Sequence, residues 1–142
     1  MKVRDLMTKE VSFANPGTRV NEIAQKMEQL NVGSIPICDD SRHAVGIVTD
    51  RDIVLKSVSN GNINATAQDV MTRNLIYATS EMDAHEAANL MAQHQIRRLP
   101  VVDNGKLVGM LAIGDLATVN IFVNEAGEAL SNISKPSNPT IH

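Results

Sequence analysis

The sequence predicts an α/β (α+β) fold built from two tandem β-α-β-β-α repeats. Three observations carry that expectation. The chain resembles itself at a spacing of 64 residues. Each copy switches from helical to alternating periodicity in the same order. A copy of about 60 residues is marginal on its own, so the two copies are expected to pack together as one domain.

The repeat is explicit in the residues. Asp5-Leu6-Met7-Thr8 returns as Asp69-Val70-Met71-Thr72, and the same offset maps Glu22 to Glu86, Met27 to Met91 and Pro36 to Pro100. One residue is lost in the following turn, after which Val45-Gly46 maps to Val108-Gly109 and Asp52 to Asp115. The expected organisation is repeat 1 over 1–60, a linker over 61–66, repeat 2 over 67–124 and a flexible tail over 125–142. The linker is polar and turn-rich. The tail ends in a Pro- and Ser-containing stretch, with 126–133 suited to a short docking turn.

Each copy opens with a turn holding Asp-x-Met-Thr, then an extended piece, Val11-Ser12-Phe13 or Leu75-Ile76-Tyr77. An amphipathic helix follows. Its apolar stripe is Val20, Ile23, Ala24, Met27 and Leu30 in copy one and Ala84, Ala87, Ala88 and Met91 in copy two. Thr18 and Ser80 are the expected N-caps. Two strands come next, around 34–38 and 44–48, then 98–102 and 107–111. Asn104-Gly105 is a strong signal for a hairpin turn. A last helix starts near Asp50 and near Gly114.

Composition excludes several function classes. The 142 residues carry a formal charge of −3, and no basic cluster exceeds Arg97-Arg98. A nucleic-acid binder concentrates positive charge on one face, so no nucleic-acid partner is expected. Nor is a membrane partner, because no run approaches the ~20 apolar residues of a spanning helix. The N-terminus lacks a signal-peptide pattern, and a cytoplasmic location is expected. The single Cys38 reads as a small buried apolar side chain. His43, His85, His94 and His142 form no metal-ligand spacing, so no metal is expected. No nucleophile elbow or phosphate-binding glycine loop occurs, and the chain is not expected to be an enzyme.

The most specific local pattern is Gly46-Ile47-Val48-Thr49-Asp50-Arg51-Asp52. A strand ends at Thr49 and a helix begins at once, which sets a hydroxyl and a carboxylate side by side at a helix start. A carboxylate there can accept hydrogen bonds from a ribose diol, and exposed amides favour a phosphate. Thr-x-x-Asp is equally the signature of a capping box. Copy two keeps Asp115 but has Ala112 in place of Thr49. A carboxylate kept after the cap residue is lost favours a role beyond capping.

The repeat, the Asp-x-Met-Thr starts, the Ile-Pro-Ile and Leu-Pro-Val strands and Gly-x-x-Thr-x-x-Asp together resemble a tandem CBS-domain pair, or Bateman module. The likeness is to the small stand-alone bacterial kind and covers about residues 1–120. It implies that the copies pack with pseudo-twofold symmetry and leave two clefts between them that bind AMP, ADP, ATP or S-adenosylmethionine as a regulatory ligand, with no cofactor required. Asp52 and Thr49 would hold the ribose. Val11, Phe13, Ile35, Pro36 and Ile37 would enclose the adenine, and Arg98 of copy two would reach the phosphates, for which a guanidinium has bidentate geometry. The second, weaker cleft would use Asp115, Leu75, Tyr77, Leu99, Pro100 and Val101. It lacks the Thr49 hydroxyl, and Ser34 stands there where Arg98 stands for the first.

The expectation is a ligand-sensing regulatory module that signals to a protein partner. The alternative is a ligand-free dimeric scaffold with the same fold. A homodimer is expected through helical faces containing Met82, Met91 and Ala88, with Leu116, Val119 and Phe122 of the final helix.

Overall fold

A computed structural model describes residues 1–117, 127 and 130–133 of the chain. The elements run α1 (Val3–Leu6), α2 (Val20–Leu30), β1 (Ser34–Cys38), β2 (Ala44–Thr49), α3 (Asp50–Ile53), α4 (Ala67–Val70), α5 (Ala84–His94), β3 (Arg98–Asp103), β4 (Lys106–Ala112) and α6 (Ile113–Ala117). A π-helical turn, Val54–Val58, continues α3. The strands form two small sheets, β1–β2 and β3–β4. The β-α-β-β-α order of each copy is present, the first strand being a single parallel bridge, Ala14 to Ile37 or Ala78 to Val101.

The chain divides into two compact units that do not coincide with the two copies. The copy-one unit comprises Glu10–Ile76 and Val102–Leu107, and the copy-two unit comprises Met1–Lys9, Tyr77–Val101 and Val108–His142. Each unit therefore contains the Asp-x-Met-Thr element of the other copy.

In the copy-one unit, α2 lays Val20, Ile23 and Met27 on Ile35, Ile37 and Val48 of the sheet, and Ala65, Ala67, Val70 and Met71 close the same core. Short α4 carries the copy-two element. Its Asp69 accepts from the Thr66 amide at 2.9 Å, Ala67 N donates to Thr18 O at 2.8 Å, and Thr72 bridges to Ile47. Gly46 is what admits it: a Cβ there would lie 2.8 Å from Thr72 O and 2.9 Å from Met71 Sδ.

The copy-two unit repeats the device with the chain's own start. Asp5 accepts from the Lys2 amide at 3.1 Å, Val3 N donates to Met82 O at 2.9 Å, and Thr8 bridges to Met110. A Cβ on Gly109 would lie 2.6 Å from Met7 Sδ and 2.9 Å from Thr8 O. Ala84, Ala87, Ala88 and Met91 are all buried on α5, as their spacing predicts. Asn104 and Gly105 both have positive φ (51° and 81°), the pair of left-handed residues that an Asn-Gly hairpin turn requires.

Several expectations are corrected. Thr18 and Ser80 do not cap the main helices. The N-caps are Arg19, without a side-chain bond, and Asp83, whose carboxylate accepts from His85 N. The chain stays extended up to these positions because Arg19 pairs with Thr66 and Lys2 with Asp83. Those pairings bring Ala65 O to Val20 N and Met1 O to Ala84 N, so backbone carbonyls satisfy the first helical amides. Thr18 Oγ1 instead accepts from Asn15 N in the preceding turn.

Ala24 and Leu30 are exposed although they belong to the periodic stripe. Met91 and Ala88 are buried inside the copy-two unit, so they offer no face to a second chain. Leu116 is buried as well. Val119 and Phe122 lie outside the described residues, as does most of the expected tail. Residues 130–133 are helical, and Asn132 O accepts from Gln95 Nε2 at 2.7 Å, which docks this part of the tail.

Candidate functional site: the start of α3

Strand β2 ends at Thr49 and α3 begins at Asp50. Thr49 Oγ1 accepts from Asp52 N at 3.1 Å, and Asp52 Oδ2 accepts from Thr49 N at 3.0 Å. The pair is a reciprocal capping box. It also aims the Asp52 carboxylate, whose second oxygen, Oδ1, pairs with Lys56 Nζ at 3.1 Å. The Asp52 side chain is only 12% exposed. A carboxylate fixed by one oxygen, with the other on an exchangeable side-chain cation, has the chemistry to accept from a diol.

Copy two keeps half of this device. Asp115 Oδ2 accepts from Ala112 N at 2.8 Å, and Ala112 has no hydroxyl to return the bond. The retained carboxylate thus has a backbone-capping job that does not need Thr49, which weakens the inference that its retention alone signals a ligand. Arg98 is half-buried in the same unit. Burial lowers its pKa below the ordinary guanidinium value, and the charge of Asp115 opposes that shift. Arg97 is exposed, as strand alternation from half-buried Arg98 predicts.

The expected adenine-lining residues separate. Ile35 and Ile37 face α2 in the core, at 1% and 0% exposure, so their side chains have no open surface for a ligand. Pro36, on the opposite face of β1, is buried, and its carbonyl accepts from Ala14 N at 3.0 Å. Val11, Phe13 and Leu75 pack against Cys38, Val102 and Leu107 in a small second cluster. The Arg42 guanidinium sits over the Phe13 ring, 5.1 Å from its centroid. Burial pushes the Cys38 thiol up to about 11, consistent with a packed, unreactive side chain. Of the second set, Leu99, Pro100 and Val101 are buried in β3, Tyr77 is exposed, and Leu75 belongs to the copy-one unit.

Lys56 is the residue that the sequence reading missed. Its signal was present: a lysine four residues after an aspartate on a helix is a neighbour by geometry. Its other bond, from Nζ to Val70 O at 3.2 Å, joins residues that no local pattern connects. A cavity of about 410 Å³ also opens in the copy-one unit beside Asn15, Glu22, Lys26, Asp40 and Arg42. Among the described residues no three His, Cys, Asp or Glu side chains are grouped to hold a metal ion. No helix of the described residues is long and apolar enough to cross a membrane.

Comparison with known proteins agrees with the repeat. The CBS domain family model matches twice, over residues 3–59 and 67–120. The chain belongs to the CBS-domain family. It is 43% identical to the CBS domain-containing protein YhcV of Bacillus subtilis over 133 residues, 93% of this chain and 94% of YhcV. Among solved structures it is similar to CBSX2 in complex with AMP, at 27% identity and a TM-score of 0.75, covering 87% of this chain and 98% of that one. It is likewise similar to the CBS domain pair of MJ0100 in complex with 5′-methylthioadenosine and S-adenosyl-L-methionine, at 28% identity and a TM-score of 0.75, covering 88% and 98%.

Proposed function

We propose that the protein is a regulatory sensor that binds an adenine nucleotide or adenosyl derivative at Asp52, without turnover, and passes the signal to a protein partner. The observation that carries this reading is the Asp52 carboxylate, fixed by the Thr49 capping box at the start of α3. The AMP, methylthioadenosine and S-adenosylmethionine bound by CBSX2 and MJ0100 support the ligand class. Thr49 and Asp52 hold the ribose, and Val11, Phe13 and the β1 backbone at Ile35, Pro36 and Ile37 contact the base. Arg98 serves the phosphate, and Asp115 marks a second, weaker site. The protein acts as a homodimer. Val54, Leu55 and Val58, each at least half exposed on the π turn, support this as the apolar face a second copy would cover.

A second reading, a scaffold with no ligand, is favoured by one fact: both Asp52 oxygens already have partners within the chain. Melting with a panel of adenine compounds separates the two. Ligand at about 100 times its dissociation constant stabilises by ~2.7 kcal/mol, a rise of roughly 5–11 °C at this size. Asp52→Ala removes most of that rise and Asp115→Ala removes less. No shift with any adenine compound would leave the scaffold reading standing. Native mass spectrometry of the same samples reads the subunit count and any ligand carried through purification.

A further inference from the structure

Lys56 stands on the π turn that extends α3, with its ammonium between two acceptors. One is Asp52 Oδ1 at 3.1 Å, and the other is Val70 O at 3.2 Å. Val70 is the last residue of α4, where carbonyls lack intrahelical donors, so the ammonium satisfies an orphan acceptor there. Asp52 Oδ2 is committed to the Thr49 amide. The Asp52 side chain is only 12% exposed, and its remaining oxygen, Oδ1, carries the Lys56 ammonium. The arrangement is particular to copy one: the residue corresponding to Lys56 beside Asp115 is Val119, which has no amine.

We infer that Lys56 is a resident competitor for the ribose-binding carboxylate: a diol that takes Asp52 Oδ1 must displace the ammonium, which is then left on Val70 O alone. The inference rests on the nucleoside reading of Asp52. It adds a regulatory consequence. Occupancy of Asp52 becomes linked to where the Lys56 ammonium sits, because the ligand and the Asp52–Lys56 pair exclude one another. The apparent affinity of the carboxylate is lowered by the strength of that pair, and conditions that weaken the pair raise it.

Adenosine is the appropriate probe, because it has the diol but no phosphate to attract the ammonium. Calorimetric titration into the wild type, Lys56→Met and Lys56→Arg gives the test. Lys56→Met binds adenosine about three- to tenfold more tightly than the wild type, the range spanned by exposed and charge-assisted pairs. Lys56→Arg, which keeps a cation, stays within about twofold of the wild type. A second measurement needs no variant. Raising NaCl from about 0.05 to about 0.5 M screens the pair and tightens adenosine binding to the wild type. In Lys56→Met the same change has no effect. Equal or weaker binding by Lys56→Met, or wild-type binding that does not tighten with salt, overturns the competitor role while leaving the nucleoside reading intact. Absence of adenosine binding in all three proteins overturns the nucleoside reading and the competitor with it.

Discussion

The starts of α3 and α6 are the same device built twice, and they differ in what neutralises the carboxylate. At α3, Asp52 has a threonine hydroxyl beside it and a lysine one turn on, both from its own helix start. At α6, Asp115 caps the Ala112 amide, no hydroxyl returns the bond, and the charge of Arg98, from the preceding β-hairpin, acts on it. A local counter-ion on a flexible lysine stem can leave when a ligand arrives. An arginine half-buried in a strand is held by its surroundings and costs more to move. The two carboxylates therefore share a capping role but differ in the cation that faces them.

Arg98 gives the largest test of that difference. If it serves a phosphate, Arg98→Ala weakens AMP by roughly 10- to 150-fold, the equivalent of the ~1.5–3 kcal/mol of a charged hydrogen bond, and leaves adenosine unchanged. If its chief work is to balance Asp115, adenosine and AMP weaken together and the unliganded protein melts lower. Calorimetry with both ligands and a melt without ligand distinguish the outcomes.

The two glycines that admit the Asp-x-Met-Thr elements come next. Gly46→Ala and Gly109→Ala each press a Cβ to under 3.0 Å from a backbone carbonyl, Thr72 O or Thr8 O. Overpacking of this kind costs about 1–3 kcal/mol, or roughly 2–12 °C in melting temperature. Similar losses at both sites would show that the copies are equivalent in packing though unequal at their carboxylates. A loss at one site alone would mean that the other element yields.

The smallest effect comes from exchanging the caps. Thr49→Ala removes the hydroxyl that accepts from Asp52 N and lowers stability by about 1 kcal/mol. Ala112→Thr supplies the missing half of the box at α6 and raises stability by up to a similar amount. Chemical denaturation at constant m reads both. A neutral Ala112→Thr would show that the start of α6 has no room for the returning bond.

The sites at α3 and α6 were legible to different depths. Thr49, Asp52 and Asp115 could be picked out because Thr-x-x-Asp is a local spacing with a local consequence. Lys56 was equally local and equally legible, since i,i+4 neighbours are fixed by helix geometry. That the Ile35 and Ile37 side chains face the core was not legible. A strand residue beside a buried proline can face either way, and only the helix that packs on one face decides which residues are covered. The roles of Thr18 and Ser80 failed for a related reason: the helix starts were set by bridges to Thr66 and Lys2, which lie tens of residues away.

The sequence by itself determined the repeat, the order of elements in each copy, the Asn-Gly hairpin and the paired carboxylates. Each depends on interactions between residues a few positions apart, and periodicity records those directly. Tertiary structure alone decided that each Asp-x-Met-Thr element joins the unit of the other copy, against Gly46 or Gly109. Similar repeats carry similar local patterns, so no local pattern states which copy an element will pack on. Chain connection and close packing make that choice: Gly46 and Gly109 leave room for backbone contact, and the segments that fill it come from the other copy.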